Sequence, residues 1–252
     1  MRIVKAPVES VKEVQDKIFL LRCYSPEIAR EIKPGQFCNI KVSETTSPLL
    51  RRPFSICDVE GDSVFFLFNI YGEGTKLMAA KESGETVDIL APLGTGFNLD
   101  DDFDTAVIAA GGLGAAPFPY VTRKLKDKKI FSFVGGRSET DVIRYGLENI
   151  FPATDDGTLG YHGNVVSLMN DKKSLFENDK VKIFGCGPTP MLKSLQEFCI
   201  TNDFNCELST ETAMACGFGI CQGCPIESSH QDENYLLVCK DGPVFNAKDV
   251  IL

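Results

Sequence analysis

The sequence predicts a multi-domain β plus α/β protein: an antiparallel β-barrel over residues 1–100, a parallel-sheet α/β domain over 101–205 and a small C-terminal domain over 206–252. Three observations support this division. Short apolar runs alternate with turn formers in the first part, longer apolar runs end in glycine in the second, and cysteines gather in the third. A chain of 252 residues has room for two ordinary domains and a small appendage.

The first part shows closely spaced strand patterns. Its runs are rich in β-branched and aromatic residues and read IFLLRCY, QFCNIKV, SVFFLFNI and TVDILAP. Turn formers such as Lys33-Pro34-Gly35 and Glu60-Gly61-Asp62 separate these runs. Short strands joined in this way favour an antiparallel barrel or sandwich.

The second part follows an acidic stretch that contains Asp100, Asp101, Asp102 and Asp104. The runs TAVIAAGG, KIFSFVGG and KVKIFGCG come next, and each is typical of a parallel strand buried on both faces. Helical patterns such as PMLKSLQEFCITN lie between or after them. The alternation of strand and helix predicts an α/β domain.

The third part is short, rich in glycine and cysteine, and poor in periodic runs. A segment of this size buries little apolar surface by itself, so we expect a metal centre to supply the missing stability.

Composition excludes several classes of function. The net charge of −9 argues against a nucleic-acid partner, which needs a basic surface. No apolar run approaches the roughly 20 residues of a membrane span, so we expect no membrane partner. The segment MRIVKAPVES lacks the apolar core of a secretory signal. We therefore expect a cytoplasmic protein.

Four cysteines follow the spacing Cys216-x4-Cys221-x2-Cys224-x14-Cys239. The first three match the plant-type [2Fe–2S] run C-x4-C-x2-C, which takes a distant fourth cysteine. Glycines between them free the backbone, so that N–H groups can point at the sulfurs. The spacing therefore predicts a [2Fe–2S] cluster.

Structural zinc and unliganded thiols remain as alternatives at this point. Zinc ribbons usually pair two cysteine knuckles, whereas here three cysteines share one loop. His162 and His230 show no pairing with cysteines of the kind a Rieske centre needs. The scattered Cys23, Cys38 and Cys57 are expected in the core, where free cysteine behaves as a small hydrophobe.

Arg52, Pro53, Phe54 and Ser55 stand where a strand begins in the first part. The Arg could neutralise a pyrophosphate, the ring could pack on a cofactor, and the hydroxyl could hydrogen-bond the edge of a flavin ring. An Arg-rich turn that leads into a core strand would look the same. Gly74 and Thr75 lie at a predicted helix start, which suits an anion, although an ordinary strand–turn–helix connection also fits.

Two glycine motifs end strands of the second part. Gly112 and Gly114 belong to a sequence that resembles the dinucleotide turn G-x-G-x-x-G, with Pro117 at the last glycine. Cys186 lies in Gly185-Cys186-Gly187-Pro188, at a strand end where α/β sheets bind ligands. Plain packing would explain Cys186 equally well.

Taken in order, these motifs resemble the ferredoxin–NADP reductase superfamily, whose marks are R-x-[YF]-S, G-x-G-T, G-G-x-G-x-x-P and C-G-P-x-x-M. That family joins an FAD-binding antiparallel barrel to a nicotinamide-binding α/β domain. The tail, MACGFGICQGC followed by VCKDGPVF, is similar to the family of electron-transfer subunits of the heterotetrameric, NAD-dependent dihydroorotate dehydrogenases. The resemblance covers essentially the whole chain.

The resemblance implies a role for each matching residue. FAD would be held by Arg52, Pro53, Phe54 and Ser55, with its phosphates at Gly74 and Thr75. NAD would pass along Gly112 and Gly114, and Cys216, Cys221, Cys224 and Cys239 would ligate the cluster. Many members have Tyr where this chain has Phe54, so a phenolic hydrogen bond is lost while ring packing is kept. No catalytic residue is assigned, and Cys186 is only a candidate near the flavin.

The resemblance also implies a partner, an FMN-containing catalytic subunit that oxidises dihydroorotate in pyrimidine biosynthesis. Its electrons would pass through the [2Fe–2S] cluster and FAD to NAD⁺, and we expect the cluster domain to face that partner. Asp155 stands near the adenosine ribose of relatives, where a carboxylate favours NAD(H) over NADP(H). A solvated turn would explain that aspartate as well.

Two rival functions stay open. One is the reductase component of another system, such as an oxygenase, a ferredoxin oxidoreductase or a hydrogenase. The other is a zinc-stabilised binding module without redox chemistry.

Overall fold

The computed structural model describes residues 1–230 and 234–252 of the chain. The first unit is built from strands and two short helices. They are β1 (Arg2–Gln15), β2 (Ile18–Tyr24), α1 (Pro26–Ala29), β3 (Phe37–Lys41), β4 (Arg52–Ser55), β5 (Asp58–Glu60), β6 (Ser63–Asn69), α2 (Glu73–Ala79) and β7 (Thr86–Leu93). The strands form one antiparallel sheet in the order β4-β3-β7-β1-β2-β6-β5.

This sheet curls until its two ends meet through side chains. The ring of Phe54 on β4 lies edge-on to Phe66 and Phe68 on β6, with centroid distances of 6.5 and 6.1 Å. Alternating residues of β2, β3 and β6 fill the interior between them, as period-two patterning requires. The antiparallel barrel predicted from the sequence is therefore confirmed as a curled, seven-stranded sheet.

The second unit is a doubly covered α/β sheet. Its elements are β8 (Thr105–Gly111), α3 (Phe118–Lys124), β9 (Lys129–Gly136), β10 (Ile150–Thr154), β11 (Tyr161–His162), α4 (Val165–Asp171), β12 (Val181–Cys186), α5 (Thr189–Thr201) and β13 (Asn205–Ser209). Strands β11-β10-β9-β8-β12-β13 run parallel, and all of β8 is buried. The continuous apolar runs of the sequence are these buried strands. The predicted boundary at 205/206 falls within β13.

The C-terminal segment contains β14 (Pro225–Ser228), β15 (Tyr235–Leu237), β16 (Val244–Asn246) and β17 (Val250–Ile251). Strands β15-β14-β17 form a small sheet of their own, whereas β16 pairs antiparallel with β13 and extends the α/β sheet. The segment is thus tied to the unit that precedes it.

The C-terminal segment also shares a core with the barrel. Phe37, Leu90 and Leu93 of β3 and β7 pack with Leu237 and Val238 of the segment. Cys224 and Cys239 lie in the same apolar cluster. A segment too small for its own core is stabilised by burying apolar surface against a neighbour.

A buried lysine joins the linker between the first two units to the α/β sheet. The Nζ of Lys182 on β12 is fully buried and forms ion pairs with Asp101 and, at 3.0 Å, with Glu207. It also donates to the carbonyl oxygen of Asn98 at 2.7 Å. Burial raises the pKa of Glu207 despite the hydrogen bond from Lys182, so the lysine is what offsets the cost of burying this carboxylate. None of the described helices is long and apolar enough to span a bilayer.

We expect Lys182→Ala to lower the free energy of unfolding by about 3–5 kcal/mol, because it leaves a buried carboxylate without its partner. Chemical denaturation followed by circular dichroism measures this change. Lys180→Ala, which removes an exposed ion pair with Asp102, is the matched control and should unfold close to the wild-type midpoint. Equal midpoints for the two variants would contradict the structural role given to Lys182.

Candidate functional site

The four cysteines of the predicted cluster lie as two close pairs at one end of the C-terminal segment. Cys216 and Cys221 lie in an irregular loop after β13, partly or fully exposed, whereas Cys224 and Cys239 are buried. The Sγ atoms of Cys224 and Cys239 are 3.1 Å apart. The fold thus places Cys239 beside Cys224, which precedes it by 15 positions in the sequence.

Backbone N–H groups of the loop point at the sulfurs. Gly219 N–H donates to the Sγ of Cys239 at 3.1 Å, and the N–H groups of Phe218 and Cys221 donate to the Sγ of Cys216 at 3.5 Å. Gly217 and Gly219 have φ values of 78° and 87°, a backbone region in which glycine carries no steric cost. The turns they allow aim these amides at the sulfurs.

This arrangement gives two of the thiols different pKa values. Burial acts to raise the pKa of Cys216, but the N–H groups of Phe218 and Cys221 outweigh it and lower the pKa to about 6. Burial raises the pKa of Cys239 to about 12, helped by the neighbouring Cys224 thiol. The Cys216 thiolate is therefore available to a metal near neutral pH, whereas the Cys239 thiol must lose its proton as a metal binds.

The donor set fits a two-iron cluster. The cysteines form two pairs, Cys224 with Cys239 and Cys216 with Cys221, whose thiol hydrogen-bonds the Cys216 sulfur. A [2Fe–2S] cluster takes two thiolates on each iron, whereas structural zinc gathers four around one ion. Within residues 1–230 and 234–252, no three Cys, His, Asp or Glu side chains converge on one point.

The predicted flavin motif forms β4, beside β3 in the curled sheet. The Arg52 side chain donates to the Leu50 carbonyl oxygen and passes directly over Gly74, where an added Cβ would lie 2.6 Å from the Arg52 Nε. The fold thus unites Arg52 with the start of α2, two motifs separated in the sequence. A guanidinium beside free backbone N–H groups suits a pyrophosphate.

Thr75 shapes this turn with its hydroxyl. Its Oγ1 accepts from the N–H groups of Tyr71 and Gly72 at 2.8 and 3.1 Å and donates to the Gly72 carbonyl oxygen. Because the hydroxyl is engaged within the turn, only the backbone of Thr75 is left to meet a phosphate. Phe54 is partly buried, and its ring contacts described above lie within the barrel core.

A cavity of about 360 Å³ opens at the carboxyl ends of the parallel strands β8, β9 and β12. Gly112, with φ of 53°, lines it, as does Asp155 after β10. Gly114 has a different task, since an added Cβ would overlap the Cys186 carbonyl oxygen. Ligands of open α/β sheets bind at this edge, so the cavity fits a dinucleotide.

Sequence reasoning missed two charged residues of this cavity. Arg137 follows β9, and its Nε donates to the Asp141 carboxylate at 3.0 Å. The signal that could have found Arg137 is its place directly after a buried strand that ends in Gly135-Gly136, at the same edge as Gly112. Asp141 has no comparable signal, because a local turn brings it back.

Cys186 ends β12 and is 1% exposed. Burial raises the pKa of its thiol well above the usual range, with a further contribution from Glu211. The thiol is therefore neutral at physiological pH and suited to packing rather than to thiolate chemistry. Cys23, Cys38 and Cys57 are also buried, as expected for core residues.

Comparison with known proteins adds independent findings. The family model described as "Iron-sulfur cluster binding domain of dihydroorotate dehydrogenase B" matches residues 211–251. A Bacillus velezensis protein named as the electron transfer subunit of dihydroorotate dehydrogenase B (NAD(+)) is 36% identical over the whole of both chains. A protein of the same name from Caldanaerobacter subterraneus subsp. tengcongensis is 37% identical, over 86% of this chain and 87% of its own.

Solved structures share the fold. The NADH-dependent reduced ferredoxin-NADP oxidoreductase, a protein of flavin-based electron bifurcation, aligns with a TM-score of 0.84 at 22% identity, covering 98% of this chain and 90% of its own. The Neisseria gonorrhoeae ferredoxin NADP+ reductase aligns with a TM-score of 0.63 at 18% identity, over 80% of this chain and 92% of its own. The barrel and α/β sheet described above thus have the ferredoxin reductase architecture.

Proposed function

We propose an electron-transfer function for this chain, which belongs to the family of electron transfer subunits of dihydroorotate dehydrogenase B (NAD(+)). Electrons from a partner catalytic subunit that oxidises dihydroorotate enter at the C-terminal segment and leave at the α/β sheet as hydride to NAD⁺. The observation that carries the proposal is the packing of the cysteine segment directly on the barrel sheet, against β3, the strand that pairs with the flavin motif. The full-length relatives share this one name, which favours it over the other reductase systems.

When bound, the [2Fe–2S] cluster supplies one-electron transfer and FAD supplies the link between single electrons and hydride transfer. The chain's own groups position these cofactors. Cys216, Cys221, Cys224 and Cys239 hold the irons, and loop amides stabilise the negative charge on their sulfurs. The apolar cluster beneath Cys224 and Cys239 keeps water from the buried side.

Arg52, whose side chain passes over Gly74, would neutralise the FAD pyrophosphate at this turn. Pro53, Phe54 and Ser55 continue along β4, so they present the flavin with an edge of rigid strand. The cavity at Gly112 would receive the nicotinamide cofactor, and Asp155, which lines it, would accept from a ribose 2′-hydroxyl. No side chain here needs to act as an acid or base toward dihydroorotate, because that chemistry belongs to the FMN-containing partner.

The partner docks on the surface around the cluster loop. No residue between Cys216 and Cys224 is charged, and Phe218 and Ile220 expose 40% and 75% of their surface. Leu49 and Met1 are also largely exposed, and both line a cavity that reaches Cys216. Exposed apolar side chains grouped in this way mark interaction sites.

Cys224→Ser should abolish the iron–sulfur absorption and leave the flavin bands, because the cluster loses a ligand on its buried side. Visible spectra and metal analysis of the anaerobically purified protein measure both, with about two irons per chain expected for the wild type. Cys199→Ser, at a buried cysteine outside the loop, is the control and should keep its iron. One zinc per wild-type chain with no iron would contradict the proposal.

Asp155→Ala should reduce the preference for NADH over NADPH by at least about tenfold, because the ribose hydroxyl loses its acceptor and the 2′-phosphate its repulsion. The measurement compares the rates of flavin reduction by the two coenzymes in stopped flow. Asp156→Ala, whose carboxylate is engaged by Thr158, is the matched control. An unchanged coenzyme ratio in Asp155→Ala would remove this residue from the site.

Ile220→Glu should weaken assembly with the catalytic subunit by about tenfold or more, since a charge would be buried in an apolar contact. Titration of the partner by light scattering or calorimetry measures this. Ile200→Glu, an exposed apolar position on α5 away from the loop, should bind as the wild type does. Equal affinities for the two variants would place the partner elsewhere.

A further inference from the structure

We propose that Asn39 is a positioning residue that fastens the cluster loop to the flavin-binding strand. Asn39 lies in the middle of β3 and is 1% exposed. Its neighbour across the sheet is Pro53 of β4, within the predicted flavin motif. A polar side chain at this position is unexpected, because Phe37, the neighbour on the same face of β3, packs in the apolar cluster with Cys224 and Cys239.

The Asn39 side chain reaches the cluster loop directly. Its Nδ2 donates to the carbonyl oxygen of Cys216 at 3.1 Å. The next residue, Gly217, approaches so closely that an added Cβ would overlap the amide nitrogen. The loop backbone thus rests on Asn39, and the bond ends on a predicted cluster ligand.

The orientation of the amide follows from its surroundings. Rotation by half a turn would place Oδ1 against the Cys216 carbonyl oxygen, two acceptors in contact. In the orientation present, Oδ1 is buried and has no hydrogen-bond partner among the described residues. Leaving that atom unpaired carries a free-energy cost, which a leucine of similar size would avoid. The hydrogen bond to the Cys216 carbonyl oxygen is the contact that asparagine makes at this position and leucine cannot.

The backbone of β3 at Asn39 is held by a second contact. The Asn39 carbonyl oxygen accepts from the Arg51 Nη1 at 3.4 Å. Arg51 is itself fixed by Asp88 of β7, through the backbone oxygen at 2.9 Å and the carboxylate at 2.7 Å. Asn39 therefore transmits a fixed strand position to the loop.

These bonds make one continuous path of covalent and hydrogen bonds from the Cys216 backbone through Asn39 to β4. The inference rests on the proposed function, since it concerns how the cluster is set against the flavin. Outer-shell groups of this kind tune metal affinity and reduction potential. The donated N–H also points its positive end at the loop, which favours the more negative, reduced cluster.

The test compares Asn39→Leu and Asn39→Ser with wild type, using the full chain purified anaerobically. We expect both variants to release iron to a chelator about tenfold faster or more. We expect the cluster potential to fall, because the positive end of the amide is lost, and backbone amides 216–221 to exchange hydrogen faster. Flavin reduction by NADH should match the wild type within about twofold, since the Asn39 side chain contacts the cluster loop and does not line the cavity at Gly112. Thr122→Val, at another buried residue whose hydroxyl has no partner among the described residues, is the control.

The outcomes separate the inference from the proposed function. A wild-type protein without cluster or flavin would defeat the proposed function itself. A loaded wild type whose potential, chelator kinetics and amide exchange are unchanged in both variants would overturn only the role of Asn39. Asn39→Ser covers the case in which the bulkier Asn39→Leu fails to fold. Equal losses in Thr122→Val would show a general loss of stability and also overturn the role.

Discussion

The contact between the C-terminal segment and the barrel sheet is the constraint on which the rest of the structure depends. Four thiols can be held close together only if the chain around them is rigid, and this segment is too short to be rigid alone. Phe37, Leu90 and Leu93 supply the missing core from β3 and β7. The cysteine site is therefore built on the outside of the barrel, and its distance from the flavin strand is fixed by packing within one sheet.

Aromatic rings and a buried ionic contact join the two larger units. Phe97 stacks on Phe118 at 5.7 Å and meets Phe184 edge-on at 5.4 Å, so the end of the barrel segment packs on α3 and β12. Lys182 adds a buried ionic contact at the same junction. An enzyme that passes electrons between sites needs the distances between those sites held constant. A junction of aromatic rings and buried charge is stiff and therefore keeps them constant.

Much of this architecture could be predicted because its signals are local. Period-two runs, glycine-ended strands and the spacing from Cys216 to Cys239 are properties of short stretches, and they survive folding. The motif at Arg52 and the turn at Gly74 could each be recognised in the sequence. Nothing in the sequence indicates that the Arg52 side chain passes over Gly74. The Asn39 contact and the pairing of Arg137 with Asp141 also depend on three-dimensional placement. The apolar surface of the loop around Ile220 could not be predicted either. It depends on which side chains the fold leaves exposed, and composition does not show that.

Because of β16, the α/β sheet is complete only after the cysteine segment has been synthesised. It is the edge of the α/β sheet, yet it is encoded after the cysteine segment, and the Ala247 N–H closes on the Cys206 carbonyl oxygen. During synthesis on the ribosome, β13 keeps an unpaired edge until β16 has emerged. An open strand edge invites pairing with other chains. A chain that lacks β16 would therefore carry β13 as an exposed, aggregation-prone sheet edge.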